Sequence, residues 1–376
     1  MELLKQAKPY LAVTFLQFGY AGSAIIAKSA LNKGMSHYAF SIYRNLFAAV
    51  VFTPFALVLE RKVRPRMTIS ILLKIIILGL LEPVIDQNLY YAAMKYTTAT
   101  FATAMTNMLP ALTFLLAWIL RLEEVNIRRL HSQVKIAGTI VTVGGAMIMT
   151  LIRGPAIGLP WTRAHANIHS STTVNPQDPI KGAIMIAAGC LCWASFYILQ
   201  AITLKSYPAC LSLTSMICAA GAFQGTILTL VAKRGNPSVF SIHFDVILLS
   251  YVYSGMVTSG VGYYISGMIM RIKGPVFVTA FSPLNMVIVA IMSTFILAEQ
   301  LNFGRVSGAI TIIIGLYLVI WGKCKDQNEN AKCNNNVDKI IDPIDQQLHD
   351  KNLITKSSIE ETSNATKENI GGDNAV

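Results

Sequence analysis

Apolar residues in this chain come in long runs, not in the three-and-four spacing of a helix with one wet face. A helix that crosses hydrocarbon needs about 20 predominantly apolar residues. Measured by that length, ten segments qualify: Pro9–Ala30, Tyr38–Leu59, Ile69–Met94, Thr98–Leu120, Val134–Ile152, Ile180–Leu204, Ala209–Ala232, Val246–Met270, Pro275–Leu297 and Phe303–Gly322. The pattern predicts an all-α membrane protein of about ten transmembrane helices. The third segment is the weakest, because its apolar half ends at Leu81.

The polar residues inside these runs are the candidate chemistry. Leu80–Pro110, LLEPVIDQNLYYAAMKYTTATFATAMTNMLP, carries Glu82, Asp86, Gln87, Asn88 and Asn107 within otherwise membrane-competent sequence. Ionisable groups at membrane depth are costly and normally face a bundle interior or a wet cavity. Glu82 and Asp86, four apart, share a face of a regular helix. Two such carboxylates need a counter-ion or a proton, so a polar pathway, proton carriage and structural pairing with Lys28, Arg44 or Lys95 are all open. Lys28 and Arg44 also lie deep in runs and read as internal counter-ions, with a substrate carboxylate clamp as the alternative for Arg44. Among the amides, Gln17, Asn107 and Gln200 lead, with Gln87, Asn88, Gln224 and Asn285 behind them. Each offers a donor and an acceptor to a zwitterion, or to a neighbouring helix. Tyr20 and Trp193 are candidate aromatic walls, and Ser282 sits beside Asn285 in the same candidate wall. Pro83, Pro110 and Pro283 remove backbone donors and are expected to break their helices.

Composition agrees with the pattern: of 376 residues, 53% are hydrophobic and 13% charged. The net charge of +12 does not point to nucleic acid, because the basic residues form short clusters at the ends of apolar runs. With the N-terminus in the cytosol, fifteen Lys and Arg fall on the cytosolic side and eight outside, which puts both termini inside. The first run reads as a retained span and not as a cleaved leader. His165 and His169, in the long loop, are read as residues without a metal. The six cysteines show no C-x-x-C pair, so neither zinc nor a disulfide framework is expected. Phosphate-loop, nucleophile-elbow and H-E-x-x-H signatures are absent, so no enzyme activity and no cofactor are expected.

The two halves of the chain resemble each other. Phe18-Gly-Tyr-Ala21 falls against Leu191-Cys-Trp-Ala194, which brings Tyr20 and Trp193 into register. Gly138 and Gly145 follow Glu123 as Gly308 and Gly315 follow Glu299, with a spacing of seven in both halves. Seven residues is about two turns, so each pair presents one close-packing face. The expected organisation is a first repeat over 9–152, an external loop over 153–179, a second repeat over 180–322 and a disordered cytosolic tail over 323–376. Five spans per half inverts the second half, the architecture of many secondary transporters.

Specific motifs carry a family resemblance: LQFGYAG at Leu16–Gly22, EPVIDQNLYY at Glu82–Tyr91, MKYTTATFATAMTNMLPALTF at Met94–Phe114, RLEEVN at Arg121–Asn126, GTIVTVGGAM at Gly138–Met147, GPVFVTAFSPL at Gly274–Leu284 and GLYLVIWGK at Gly315–Lys323. With these the chain resembles the plant EamA-type transporters of the drug/metabolite transporter superfamily, in its nodulin-like, Walls-Are-Thin-related (UMAMIT) group. The resemblance implies two inverted five-helix EamA repeats and facilitated, often bidirectional movement of amino acids, usually as exporters at the plasma membrane. It also leaves room for a carrier of auxin or another small organic metabolite at the vacuolar membrane. The expected partners are a small-molecule substrate and the lipid bilayer, and both a monomer and a homo-oligomer are compatible with it. A receptor or scaffold acting through the cytosolic tail is the reading from another class.

Overall fold

The computed structural model describes residues 2–93, 96, 105–122, 130–152, 156–157, 179–232, 245–296, 301–304, 306–322 and 325. His165, His169, Lys95, Glu123, Glu299 and all of the tail but Lys325 lie outside the described residues. The chain divides into two units, Met1–Ile320 and Trp321–Val376, and the first unit contains the helical bundle.

Nearly every described element is helical. The first half contains α1 (Glu2–Asn32), α2 (His37–Leu59), α3 (Ile69–Leu80), a π-helical segment (Leu81–Asp86), α4 (Gln87–Ala93), α5 (Leu109–Ile119) and α6 (Leu130–Leu151). The second contains α7 (Pro179–Ser206), α8 (Cys210–Ala232), α9 (Val246–Ser254), a second π-helical segment (Gly255–Gly262), α10 (Tyr263–Lys273), α11 (Pro275–Ala280), α12 (Ser282–Ile296) and α13 (Val306–Gly322). Two-residue strands β1 (Ala156–Ile157) and β2 (Leu301–Asn302) pair antiparallel. Six stretches are long and apolar enough to span a membrane, and three shorter apolar helices and the composite Ile69–Ala93 complete ten segments. The outer surface carries many large apolar side chains: Phe15, Val58, Ile69 and Val231 are all exposed. Lipid is the solvent that makes such a surface favourable.

The fourth and ninth segments are both broken, and in the same way. The chain turns at Asn107 and Met108 before α5, and at Phe281 before α12. Pro110 and Pro283 therefore occupy the second helical position after each break. There the missing N–H is one that the helix could not have used. The expectation that these prolines free carbonyls in mid-helix is corrected accordingly: they start helices after a turn. Gly274, at φ +83°, is the only residue between α10 and α11, a reversal that costs glycine no Cβ clash.

Packing between the halves is reciprocal. The composite third segment packs on α7 and α8, while α9 and the second π segment pack on α1 and α2. In the same way α1 packs on α12 while α5 packs on α7, and α2 packs on its counterpart α8. At α6 and α13 the backbones meet: a Cβ on Gly138 would stand 2.9 Å from Gly315 O, and one on Gly145 2.8 Å from Ile312 N. These cross-half contacts come in mirror pairs, as a two-fold relation between two repeats requires. Gly308 is also buried on α13.

Candidate functional site

The site forms where the two π segments meet α2, with α7 packed on the first of them. The π winding begins beside Pro83, which has no N–H and whose ring cannot sit over the carbonyl four residues back. The Pro83 ring is accommodated by Gly221 on α8, where a Cβ would stand 2.7 Å from it. Its carbonyl accepts a bond of 2.6 Å from the Ser41 hydroxyl. Glu82 is thereby held inside the protein, 4% exposed.

Its carboxylate is fully served. Arg44 Nη2 on α2 donates to Glu82 Oε1 at 3.1 Å, and both side chains are buried. Gln87 Nε2 donates to the same oxygen at 3.4 Å, and Tyr263 Oη donates to Oε2. The Arg44 guanidinium also lies 5.8 Å from the Phe40 ring centroid. Charge-assisted bonds of this kind are the strong ones in a low dielectric. Two of the ligands come from the first half and one from the second, so Glu82 ties the halves together.

Around this ion pair are aromatic and amide groups. Phe196 packs on Tyr263 with centroids 5.1 Å apart, and Trp193 stacks on Tyr197 at 6.4 Å. Tyr20 on α1 lies against Gly262, where a Cβ would stand 2.6 Å from its hydroxyl. Gln200 Nε2 donates to the Tyr263 carbonyl at 3.2 Å, while its Oε1 is buried with no partner among the described residues. Asp86 is 8% exposed and faces Gly189 on α7.

The other expected residues are more dispersed. Gln17 and Asn107 are buried, Asn88 turns back onto the Val84 carbonyl at 2.7 Å, and Gln224 binds the Ile76 carbonyl at 3.0 Å. Ser282 opens α12, and Asn285 follows with a buried Oδ1 that has no partner among the described residues. Lys28 is exposed, so the buried cation beside Glu82 is Arg44.

A second set of ties crosses the halves at one end of the bundle. Glu60, just past α2, accepts from the backbone N–H groups of Leu211 and Ser212 at 2.9 and 2.7 Å. A carboxylate there satisfies two orphan donors and the positive end of α8. Arg64 donates to Ser212 Oγ at 2.9 Å, and within the second half Arg271 donates to the Pro208 carbonyl at 3.0 Å. Glu60→Ala should destabilise the detergent-solubilised protein by about 1 kcal/mol, with Glu60→Asp intermediate, as read by thermal unfolding.

Comparison with known proteins decides the family. The EamA-like transporter family profile matches residues 8–151 and 180–321. The chain belongs to the EamA-like transporter family. Three WAT1-related proteins of Arabidopsis thaliana are 59%, 54% and 47% identical to this EamA-like chain over 330, 330 and 369 residues. The alignments cover 87%, 88% and 96% of this chain and 88%, 87% and 95% of those relatives. A crystal structure with 14% sequence identity superposes with a TM-score of 0.64, covering 83% of this chain and 98% of that one, and so shares the fold. As an EamA-like protein, the chain is a multi-pass membrane protein of two repeats, from a family of membrane transporters of small organic molecules.

Within this EamA-like fold the sequence reading missed Tyr263, Ser41 and Tyr197. A signal for Tyr263 existed. Glu82–Tyr91 and Gly255–Tyr264 are both ten residues long, both end in Tyr-Tyr, and both overlap a π segment. Laying one on the other sets Glu82 against Gly255 and Asp86 against Ser259. The π winding also changes which side chain reaches Glu82. At about five residues per hydrogen-bonded turn, Gln87 and not Asp86 contacts the Glu82 carboxylate.

Proposed function

We propose that this EamA-like transporter exports amino acids across the plasma membrane by alternating access, with both termini in the cytosol. The substrate passes between Glu82–Asn107 of the first half and Trp193–Gln200 and Ser282–Asn285 of the second. The observation that carries the reading is the buried Arg44–Glu82–Tyr263 cluster, an ionic group at membrane depth whose ligands come from both halves. Such a residue marks a pathway by default, and a contact shared by two repeats is one that rocking of those repeats remakes. On this topology the Glu60 and Arg64 ties lie at the cytosolic end and close that side.

Carriage of auxin or another organic acid at the vacuolar membrane is the second reading, favoured by a buried cation, Arg44, and weakened by its commitment to Glu82. Oocytes expressing the full chain should release preloaded glutamine faster than water-injected controls. Release of indole-acetate with no release of any amino acid would overturn the first reading in favour of the second.

A further inference from the structure

Charge balance at the site is incomplete. The buried cluster on α2 and the first π segment holds one guanidinium, Arg44, and two carboxylates, Glu82 and Asp86. The Arg44 guanidinium acts on both carboxylates but is bonded to Glu82, as are Gln87 Nε2 and Tyr263 Oη. Asp86 is more than nine-tenths buried and has no hydrogen bond or ion pair among the described residues. Directly across from it is Gly189 of α7, where even a methyl group would approach Oδ1 to 2.9 Å. A side chain is missing where a neighbouring helix would otherwise crowd the carboxylate.

We propose that Asp86 is the recognition site for a primary ammonium group of the substrate, while Glu82 and Arg44 are positioning residues that neutralise each other. Resting on the amino-acid export reading above, it assigns that substrate class to the amine. One monovalent cation completes the charge count, and an ammonium brings three donors to an acceptor-only group. The place is suited to transport, because Asp86 belongs to the first half and Gly189 to the second. In its ionised form Asp86 also selects against substrates that carry only a carboxylate, since like charges in a low dielectric repel strongly.

The test uses the full chain in liposomes, with matched pairs that differ by the amine: glutamine against its deaminated analogue, and putrescine against butanediol. Wild-type protein should favour the amine-bearing member of at least one pair by tenfold or more. Asp86→Asn should reduce that preference to under threefold while the protein keeps its thermal unfolding midpoint, and Gly189→Ala should lower amine flux. Glutamine flux that is unchanged in Asp86→Asn overturns the inference and leaves amino-acid export standing. Asp86-dependent putrescine flux without glutamine flux does the reverse. A wild-type preference that disappears when sodium and potassium are replaced by N-methylglucamine means that an alkali ion fills the position, which also overturns it.

Discussion

Arg44→Met is expected to lower the yield of folded protein sharply and its thermal unfolding midpoint in detergent by many degrees. It leaves Glu82 buried and short of its strongest partner. Removing one member of a buried ion pair typically costs about 3–5 kcal/mol, whereas replacing both members by neutral groups of similar size is often close to neutral. The double substitution Arg44→Met with Glu82→Gln should therefore recover at least half of the loss, since the amide can still accept from Tyr263. A double variant as unstable as the single one would mean that Arg44 acts through its packing on Phe40 and not through its charge. Arg44→Lys should fall between, because the ammonium keeps the charge and loses the planar fork.

Gly315→Val should be comparably damaging, and for a different reason. A Cβ at Gly315 would fall onto Thr142 Oγ1 and stand 2.5 Å from the Thr142 backbone nitrogen, so α6 and α13 could no longer touch. Overpacking typically costs about 1–3 kcal/mol and more where backbone must move. Two of the three nearest atoms, Thr142 N and Gly138 O, are helix backbone, and close approach of backbones favours helix association in lipid. Gly144→Ala is the matched control, with nothing within 4 Å of its added carbon, and should leave the unfolding midpoint within a degree or two of wild type.

The membrane-spanning pattern is fully legible in the chain because the signal, about 20 apolar residues, is local and its physical cause is local. The glycine contacts of α6 and α13 are legible for the same reason, since a spacing of seven fixes a face. Legibility ends where geometry departs from 3.6 residues per turn. Reading Glu82 and Asp86 as a facing pair assumes regular helix, and the π segment gives Gln87 that contact instead. Pro110 and Pro283 look like mid-helix breaks in the sequence, because hydropathy runs unchanged across the turns at Met108 and Phe281 that precede them. Tyr263 is hard to find for another reason. Its partner lies 181 residues away, and a tyrosine in an apolar run looks the same whether it faces lipid or a carboxylate.

The reciprocal packing of the halves has a consequence for the number of charges the protein can hold. In a strictly duplicated chain, the ten-residue stretch around the second π segment would repeat Glu82 and Asp86 at positions 255 and 259. Four carboxylates would then converge on one dry interior, and each further unpaired one would add several kcal/mol of desolvation. Gly255 and Ser259 stand there instead, and the glycine lets α2 come close enough that a Cβ would lie 2.6 Å from the Arg44 carbonyl. Around the two π segments one half carries the ions and the other is the mould that seats them, so the duplicated fold is lopsided in charge at this site.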